Sequence, residues 1–292
     1  MIKIAVIGPG AMGCLFAARF ARAGHRACLV DYKPNRADIL SKGAITVEDD
    51  SGTFTERIPV STQLPQGMDL VLVLTKAYST ASLRLPGEVP VLTLQNGLGN
   101  VETLCSMIGS ARVIAGVTSE AVTLLEPGRV RHTASGRSAF GAWTSCPSDL
   151  AYKVFRDAGF DVMLTDTPGQ VIWEKAAISA GINPLTALLD VPNGRLLDST
   201  EVRQLLRDLV LEATKVAATE GYRFQQSLVE AAEELCHQTR SNISSMLQDV
   251  RNRRKTEIRA ISGEIMRRAR AASLPTPRTR VVYQLVRGLE NR

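Results

Sequence analysis

Lys175, Ser179 and Asn183 stand four residues apart in a stretch that is otherwise small and apolar. In a helix this spacing puts all three on one face, and burying such a polar stripe without partners is costly. Ile178, Ile182 and Leu185 make a water-facing stripe awkward, so the spacing points to the wall of a cleft that takes a small polar molecule. A second set, Asn242, Ser245, Asp249 and Glu257, is spaced by three, four and eight. On one long helix these four share a broad face and form a second cleft wall. The simpler role for Ser241 or Asn242 is a helix N-cap.

A different set points to phosphate. The apolar run Ile4-Ala5-Val6-Ile7 leads into Gly8-Pro9-Gly10-Ala11-Met12-Gly13, an apolar-periodic helix runs to Ala23, and a second strand over 27–31 ends in Asp31. In that setting Gly8 makes the tight turn, Gly10 lets the backbone approach a pyrophosphate, and Gly13 lets the helix pack on the sheet. Free N–H groups and the positive end of the helix dipole face the phosphates. Asp31 accepts from both ribose hydroxyls in an NAD site, whereas Lys33 and Arg36 offset its charge and hold a 2′-phosphate in an NADP site. The residues alone tilt slightly towards NAD. Lys76 ends a buried strand that begins at Asp69, and Asn96-Gly97 follows another over 89–94. Ligands of doubly wound sheets lie beyond the carboxyl ends of strands, so both side chains are expected at the crevice of Gly10. A solvated lysine and a plain Asn-Gly turn are the bland alternatives.

The elements that must position these residues divide in two. At 292 residues the chain is long for one nucleotide-binding unit. Strands and helices alternate up to about Asp166-Thr167-Pro168, and helical period dominates afterwards. The expected fold is α/β: a doubly wound parallel sheet over 1–167 and an all-helical domain over 168–292. Within the first, 32–36 reads as a polar loop, and 44–48 with 54–60 as a hairpin added to the sheet. A helix over 101–108, strands at 113–115, 117–124, 130–132 and 138–142, a helix over 149–158 and a strand over 161–164 follow. Within the second, helices are expected over 199–221 and 225–236, then the long helix through Glu257, then a last one over 279–289 after Pro275 and Pro277.

Composition narrows the classes. Hydrophobic residues make up 45% and charged ones 22%, as in ordinary globular proteins. The net charge of +6 gathers late, but Asp249, Glu257 and Glu264 interleave the arginines, which fits a solvated face and not a nucleic-acid surface. No run reaches the ~18 apolar residues of a membrane span, and the N-terminus lacks a secretory pattern. The five scattered cysteines fit a reduced, cytoplasmic protein. His25, His132 and His237 stand apart from one another and from cysteine, so no metal is expected.

Together the glycine turn, Thr75-Lys76, Asn96-Gly97, Trp173-x-Lys175, Ile182-Asn183-Pro184-Leu185-Thr186, Asn193-Gly194, Ser244-Ser245-Met246-Leu247-Gln248-Asp249 and Thr256-Glu257 resemble the ketopantoate reductase (2-dehydropantoate 2-reductase) family over essentially the whole chain. The resemblance implies a Rossmann-type domain followed by a helical one, and NADPH-dependent reduction of 2-dehydropantoate to (R)-pantoate in pantothenate and coenzyme A synthesis. It implies Lys175 as proton donor, with Glu257 beside it or on a substrate hydroxyl. Asn96 would touch cofactor and substrate, Lys76 and Glu257 would help hold the cofactor, and Ala121 would offer it a backbone contact. Asn183, Asn193, Asn242 and Ser245 would line the substrate site. Two residues depart from the family pattern. Ser179 stands where an asparagine is usual, which opens the choice of 2-keto acid. Asp31 stands where many members have a basic residue, which keeps NAD(H) in play. A related keto-acid reductase and a non-catalytic dinucleotide sensor are the competing readings, and a homodimer is left open.

Overall fold

Runs of Ile, Val, Leu and Ala that can be buried on both faces are what a parallel sheet needs, and they build the first half of the chain. The structure, a computed structural model, describes residues 1–85 and 88–290. Positions 86–87 of the expected first domain and 291–292 of the second lie outside the described residues. Cα packing divides the chain into one unit of Met1–Gln95 and Asn100–Pro168, and another of Asn96–Gly99 and Gly169–Arg292.

In the first unit, β1 (Lys3–Ile7), α1 (Ala11–Arg22) and β2 (Arg26–Val30) form the strand–helix–strand start. Then come α2 (Pro34–Ser41), β3 (Ile45–Asp49), β4 (Gly52–Glu56), β5 (Val60–Ser61), β6 (Leu70–Val73) and β7 (Val91–Thr93). The unit continues with α3 (Asn100–Ile108), β8 (Val113–Thr118), β9 (Ala121–Glu126), β10 (Arg129–Ala134), β11 (Ser138–Ala142), α4 (Asp149–Asp157) and β12 (Val162–Leu164). Among the described residues, eight strands form one sheet in the order β12-β11-β8-β7-β6-β1-β2-β5. It is parallel throughout except at β8 and β11, which pair antiparallel. Residues 4–7 and 70–73 are fully buried. Phe16 and Phe20 of α1 meet Phe155 and Phe160 with ring centroids 4.7 to 6.1 Å apart, so α1 and α4 share an aromatic core.

Three expectations for this unit need correction. The hairpin β3–β4 is present, but it does not extend the main sheet. It belongs to a second sheet, β4-β3-β10-β9. The cause is its alternation: Ile45 and Val47 turn with Val130 into the core around α1, while Arg19 pairs with Asp49 at 2.6 Å and Arg22 lies over the Phe54 ring. The strand expected over 117–124 is two strands, because β8 pairs with β11 and β9 with β10, so the chain changes sheets at Ser119-Glu120. The polar loop 32–36 is mostly helix, since Pro34 takes the first helical position, where its fixed φ is favourable.

The second unit carries α5 (Pro168–Leu189), α6 (Thr200–Thr219), α7 (Leu228–Gln238), α8 (Ser245–Arg251), α9 (Glu264–Ala271) and α10 (Pro277–Leu289). A 3-10 turn spans Asn193–Leu197 and a π-turn Arg259–Gly263. Helix α5 continues past Pro184, whose missing N–H removes one helical bond. Gly181 brings α5 close to α6, for a Cβ there would lie 2.7 Å from Val210 Cγ2. Ser199 and Ser227 cap α6 and α7, and the second cap explains why α7 begins at Leu228 and not at 225.

The long helix expected to join Asn242 to Glu257 does not exist. Helix α8 starts after its cap Ser244, which accepts the Leu247 N–H, in place of the expected cap at Ser241 or Asn242. It stops at Arg251, and Arg253 turns into the left-handed region at φ 51°. The stop lies in Arg251, Arg253, Arg254 and Lys255, like charges whose three- and four-residue spacings repel on a helix. Glu257 therefore arrives on a separate segment, just before the π-turn.

Candidate active site

The glycine turn has the geometry a dinucleotide's phosphates require. Gly8 adopts φ +101°, and a Cβ there would lie 2.6 Å from the Thr75 nitrogen. A Cβ on Gly13 would lie 2.1 Å from the Gly8 carbonyl oxygen, so only glycine lets α1 sit this close to the turn. Gly10, by contrast, has nothing within 4 Å of its Cβ position. Helix α1 begins there with no side-chain cap and no acid in its first turn, which leaves its N-terminal N–H groups and dipole for an anion. Pro9 is buried between the glycines, and Ala11 and Met12 open the helix, half-buried. The residues therefore fit a pyrophosphate.

Asp31, at the end of β2, is 3% exposed and fully engaged. Arg36 grips it through Nε and Nη2, and the Lys33 N–H donates to Oδ1 at 3.1 Å. Its charge is thereby offset within the protein. Lys76 leads into a 3-10 turn, Ala77–Ser82, past the end of β6. Ala121 opens β9, and its carbonyl accepts from Thr133 Oγ1. Just before it, buried Glu120 meets His132 at 2.5 Å, a pair that residue spacing gave no sign of.

In the second unit three predicted residues converge. Lys175 Nζ donates to Asn96 Oδ1 at 2.9 Å, and Asn96 Nδ2 donates to Glu257 Oε2 at 3.3 Å. Asn96 thus stands between amine and carboxylate, its oxygen on one and its nitrogen on the other. Burial pushes the Lys175 ammonium down to about 8, against the pull of Glu257, which holds it up. Glu257 itself is 6% exposed. The turn that carries Asn96 is fixed by backbone: the Leu98 N–H donates to the Ala260 carbonyl at 2.8 Å, and Gly97, at φ +82°, leaves a Cβ position only 2.5 Å from that oxygen.

The remaining candidates of this unit lie on α5, on the 3-10 turn and around the start of α8. Ser179 lies half-buried one turn beyond Lys175 on α5. The Asn183 carbonyl accepts the Thr186 hydroxyl, which bonds to Ser244 at 2.7 Å, so α5 is tied to the start of α8 and to Ser245. The Asn193 N–H donates to the Asn242 carbonyl at 2.9 Å, and Asn193 Nδ2 donates to Thr239. Asn193 Oδ1 is buried with no protein partner, an acceptor held ready for a hydroxyl or an N–H. The Thr186–Ser244 link and the Gly97–Ala260 contact were invisible in the sequence, since each joins residues more than fifty positions apart. Among the described residues no group of His, Cys, Asp or Glu is placed to hold a metal ion, and no helix is long and apolar enough to cross a membrane.

A Rossmann-type sheet with an uncapped glycine turn, followed by a helical domain that holds a lysine–asparagine–glutamate trio, defines a dinucleotide-dependent class of protein. Comparison gives the family. Residues 4–145 match the family model "Ketopantoate reductase PanE/ApbA", and residues 169–290 match the model of that family's C terminus. A 2-dehydropantoate 2-reductase of Halobacterium salinarum is 32% identical, covering 98% of both chains. The crystal structure of a ketopantoate reductase from Ralstonia eutropha superposes with a TM-score of 0.90 at 31% identity, covering 99% of both chains. A D-mandelate dehydrogenase complex with NADH superposes at 0.89 with 25% identity, also over 99% of both. The chain belongs to the ketopantoate reductase family.

Proposed function

We propose that this protein reduces 2-dehydropantoate to (R)-pantoate with NADPH, in pantothenate and coenzyme A synthesis. The observation that carries this is the Lys175 amine, lowered to about 8 and hydrogen-bonded to Asn96 beside a buried Glu257. In this reading 1–167 is the dinucleotide-binding domain and 168–292 the helical substrate and catalytic domain, at work in the cytoplasm, where the five free thiols stay reduced.

Residues Gly8 to Gly13, Asp31, Lys76, Asn96, Ala121 and Glu257 hold the dinucleotide, which supplies a hydride to the ketone carbon. As negative charge grows on the ketone oxygen, Lys175 gives it a proton, and Asn96 keeps the amine aimed. An ammonium near 8 is protonated at neutral pH yet gives up its proton more readily than a surface lysine. Glu257 stabilises that ammonium, and its low exposure keeps the pair out of water. Ser179, Asn183, Asn193, Asn242 and Ser245 supply neutral donors and acceptors for the substrate's carboxylate and hydroxyl. The buried Asn193 Oδ1 supports that role, because an unpaired acceptor is costly unless a ligand fills it.

The Asp31–Arg36 pair supports NADPH. A bare carboxylate would repel a 2′-phosphate, whereas here a guanidinium already neutralises it and Lys33 stands two residues on. Oxidation of NADPH by 2-dehydropantoate, followed at about 340 nm, tests the assignment. Lys175→Ala is expected to lower kcat by about a hundredfold or more, and unchanged turnover in that variant would refute the proton-donor role. A second reading, reduction of another 2-keto acid, is favoured by Ser179, a shorter group that leaves more room than asparagine. A panel of keto acids decides, 2-dehydropantoate being expected to give the highest kcat/KM.

A further inference from the structure

One hydroxyl fixes the backbone on both sides of Glu257. Thr256 Oγ1 accepts the Ile258 N–H at 3.2 Å and donates to Glu290 Oε1 at 2.6 Å, while the Thr256 N–H donates to the same oxygen at 2.8 Å. The other oxygen of Glu290 pairs with Arg287, one turn back on α10. Thr256 is 1% exposed and the Glu290 side chain 5%, so these bonds to a carboxylate lie where water does not replace them. They act on a stretch that needs them, for residues 254–256 belong to no helix and have no regular ladder of their own.

Apart from the pair with Arg287, helix α10 has no use for an acid at this position. Glu290 is its C-cap, the negative end of the dipole, where a carboxylate is unfavourable. Burial raises the Glu290 pKa, but the bonds from Thr256 and Arg287 outweigh it and hold the group below the usual carboxylate range. It is therefore ionised at neutral pH, and its bonds run to the segment that bears Glu257.

We propose that Glu290 is a positioning residue for Glu257: by anchoring Thr256 it aims the Glu257 carboxylate at Asn96 and so sets the charge beside Lys175. The proposal rests on the reading of Lys175 as proton donor, and its test includes a readout that does not need turnover. In the full-length protein, the rate at which an amine-directed acylating reagent modifies Lys175 is measured against pH, using the mass of the Lys175 peptide. Glu257 holds the amine's pKa up, so a Glu257 that drifts away lets it fall.

In Glu290→Ala and Thr256→Val the Lys175 titration moves to lower pH and kcat falls about tenfold or more, the scale of loss that small misplacements cause. Thr256→Ser keeps the hydroxyl and both readouts. A Glu290→Ala protein that melts earlier but titrates Lys175 as the parent does would overturn the proposal and leave Glu290 a fastening of the helix end. If Glu290→Ala does not fold, the contrast between Thr256→Val and Thr256→Ser makes the same decision. If the parent turns over no 2-dehydropantoate, the reaction assignment falls while the amine titration still decides the positioning role.

Discussion

Asp31 is the residue whose type is least informative until its neighbours are known. As a letter at the end of the second strand it favours ribose hydroxyls, yet its carboxylate is gripped by Arg36 and capped by the Lys33 N–H. Removing the arginine restores the bare charge. Arg36→Ala is expected to lower kcat/KM for NADPH by about tenfold or more, with much less effect on NADH, because only the first cofactor brings a phosphate to that carboxylate. Parallel kinetics with the two cofactors check this, and an equal loss with both would remove Arg36 from the preference. Lys175 was more legible than the aspartate. Its stripe with Ser179 and Asn183 follows from helical period alone, and α5 is a helix across all three. What spacing does not contain is the identity of a partner: Asn96 and Glu257 lie 79 and 82 positions away from Lys175, and only the folded chain selects them.

Elements were legible where local chemistry decides them and misread where pairing does. The strand–glycine–helix start, the buried strands and helix α6 follow from apolar runs, turn residues and helical period near the positions where they occur. The hairpin's destination did not follow, since Ile45 and Val47 alternate equally well on either sheet until α1 and Val130 are there to receive them. The long helix to Glu257 failed for another reason: spacing said the four polar residues shared a face, but the basic run breaks the helix first. The turn that holds Asn96 is where this bears on the proposed reaction, because it leans on the π-turn that follows Glu257. Gly97→Ala would force a Cβ against the Ala260 carbonyl at a left-handed φ, strain on the order of 1 to 2 kcal/mol for the backbone alone. The expected result is a lower melting temperature together with a loss of kcat beyond that of Gly24→Ala, whose φ is also positive but whose Cβ position is open. Equal effects in the two variants would mean that the contact with Ala260 does not position Asn96.

At the scale of the whole molecule, a chain with a net charge of +6 whose packing divides into two units is expected to feel the loss of a carboxylate pair mainly in the unit that holds it. In the second unit Glu233 of α7 accepts forked pairs from Arg203 and Arg207 of α6, which hold its carboxyl at about 2. A folded-state pKa below the unfolded one stabilises above the unfolded value, and that contribution is lost as pH falls from about 4.5 towards 2. Protonation of other carboxylates raises the net positive charge over the same range and adds repulsion. The arginines stand in water, so screening keeps the contribution of the pairing at neutral pH small. The two tryptophans separate the units as reporters, Trp143 in the first and Trp173 in the second. Glu233→Gln is expected to lower the urea midpoint reported by Trp173 at pH 7, in a Trp143→Phe background, and to converge with its parent as pH approaches 2. In a Trp173→Phe background the Trp143 midpoint should move less, because Glu233 and both arginines belong to the other core. A shift of equal size at both tryptophans would show that the two units unfold as one.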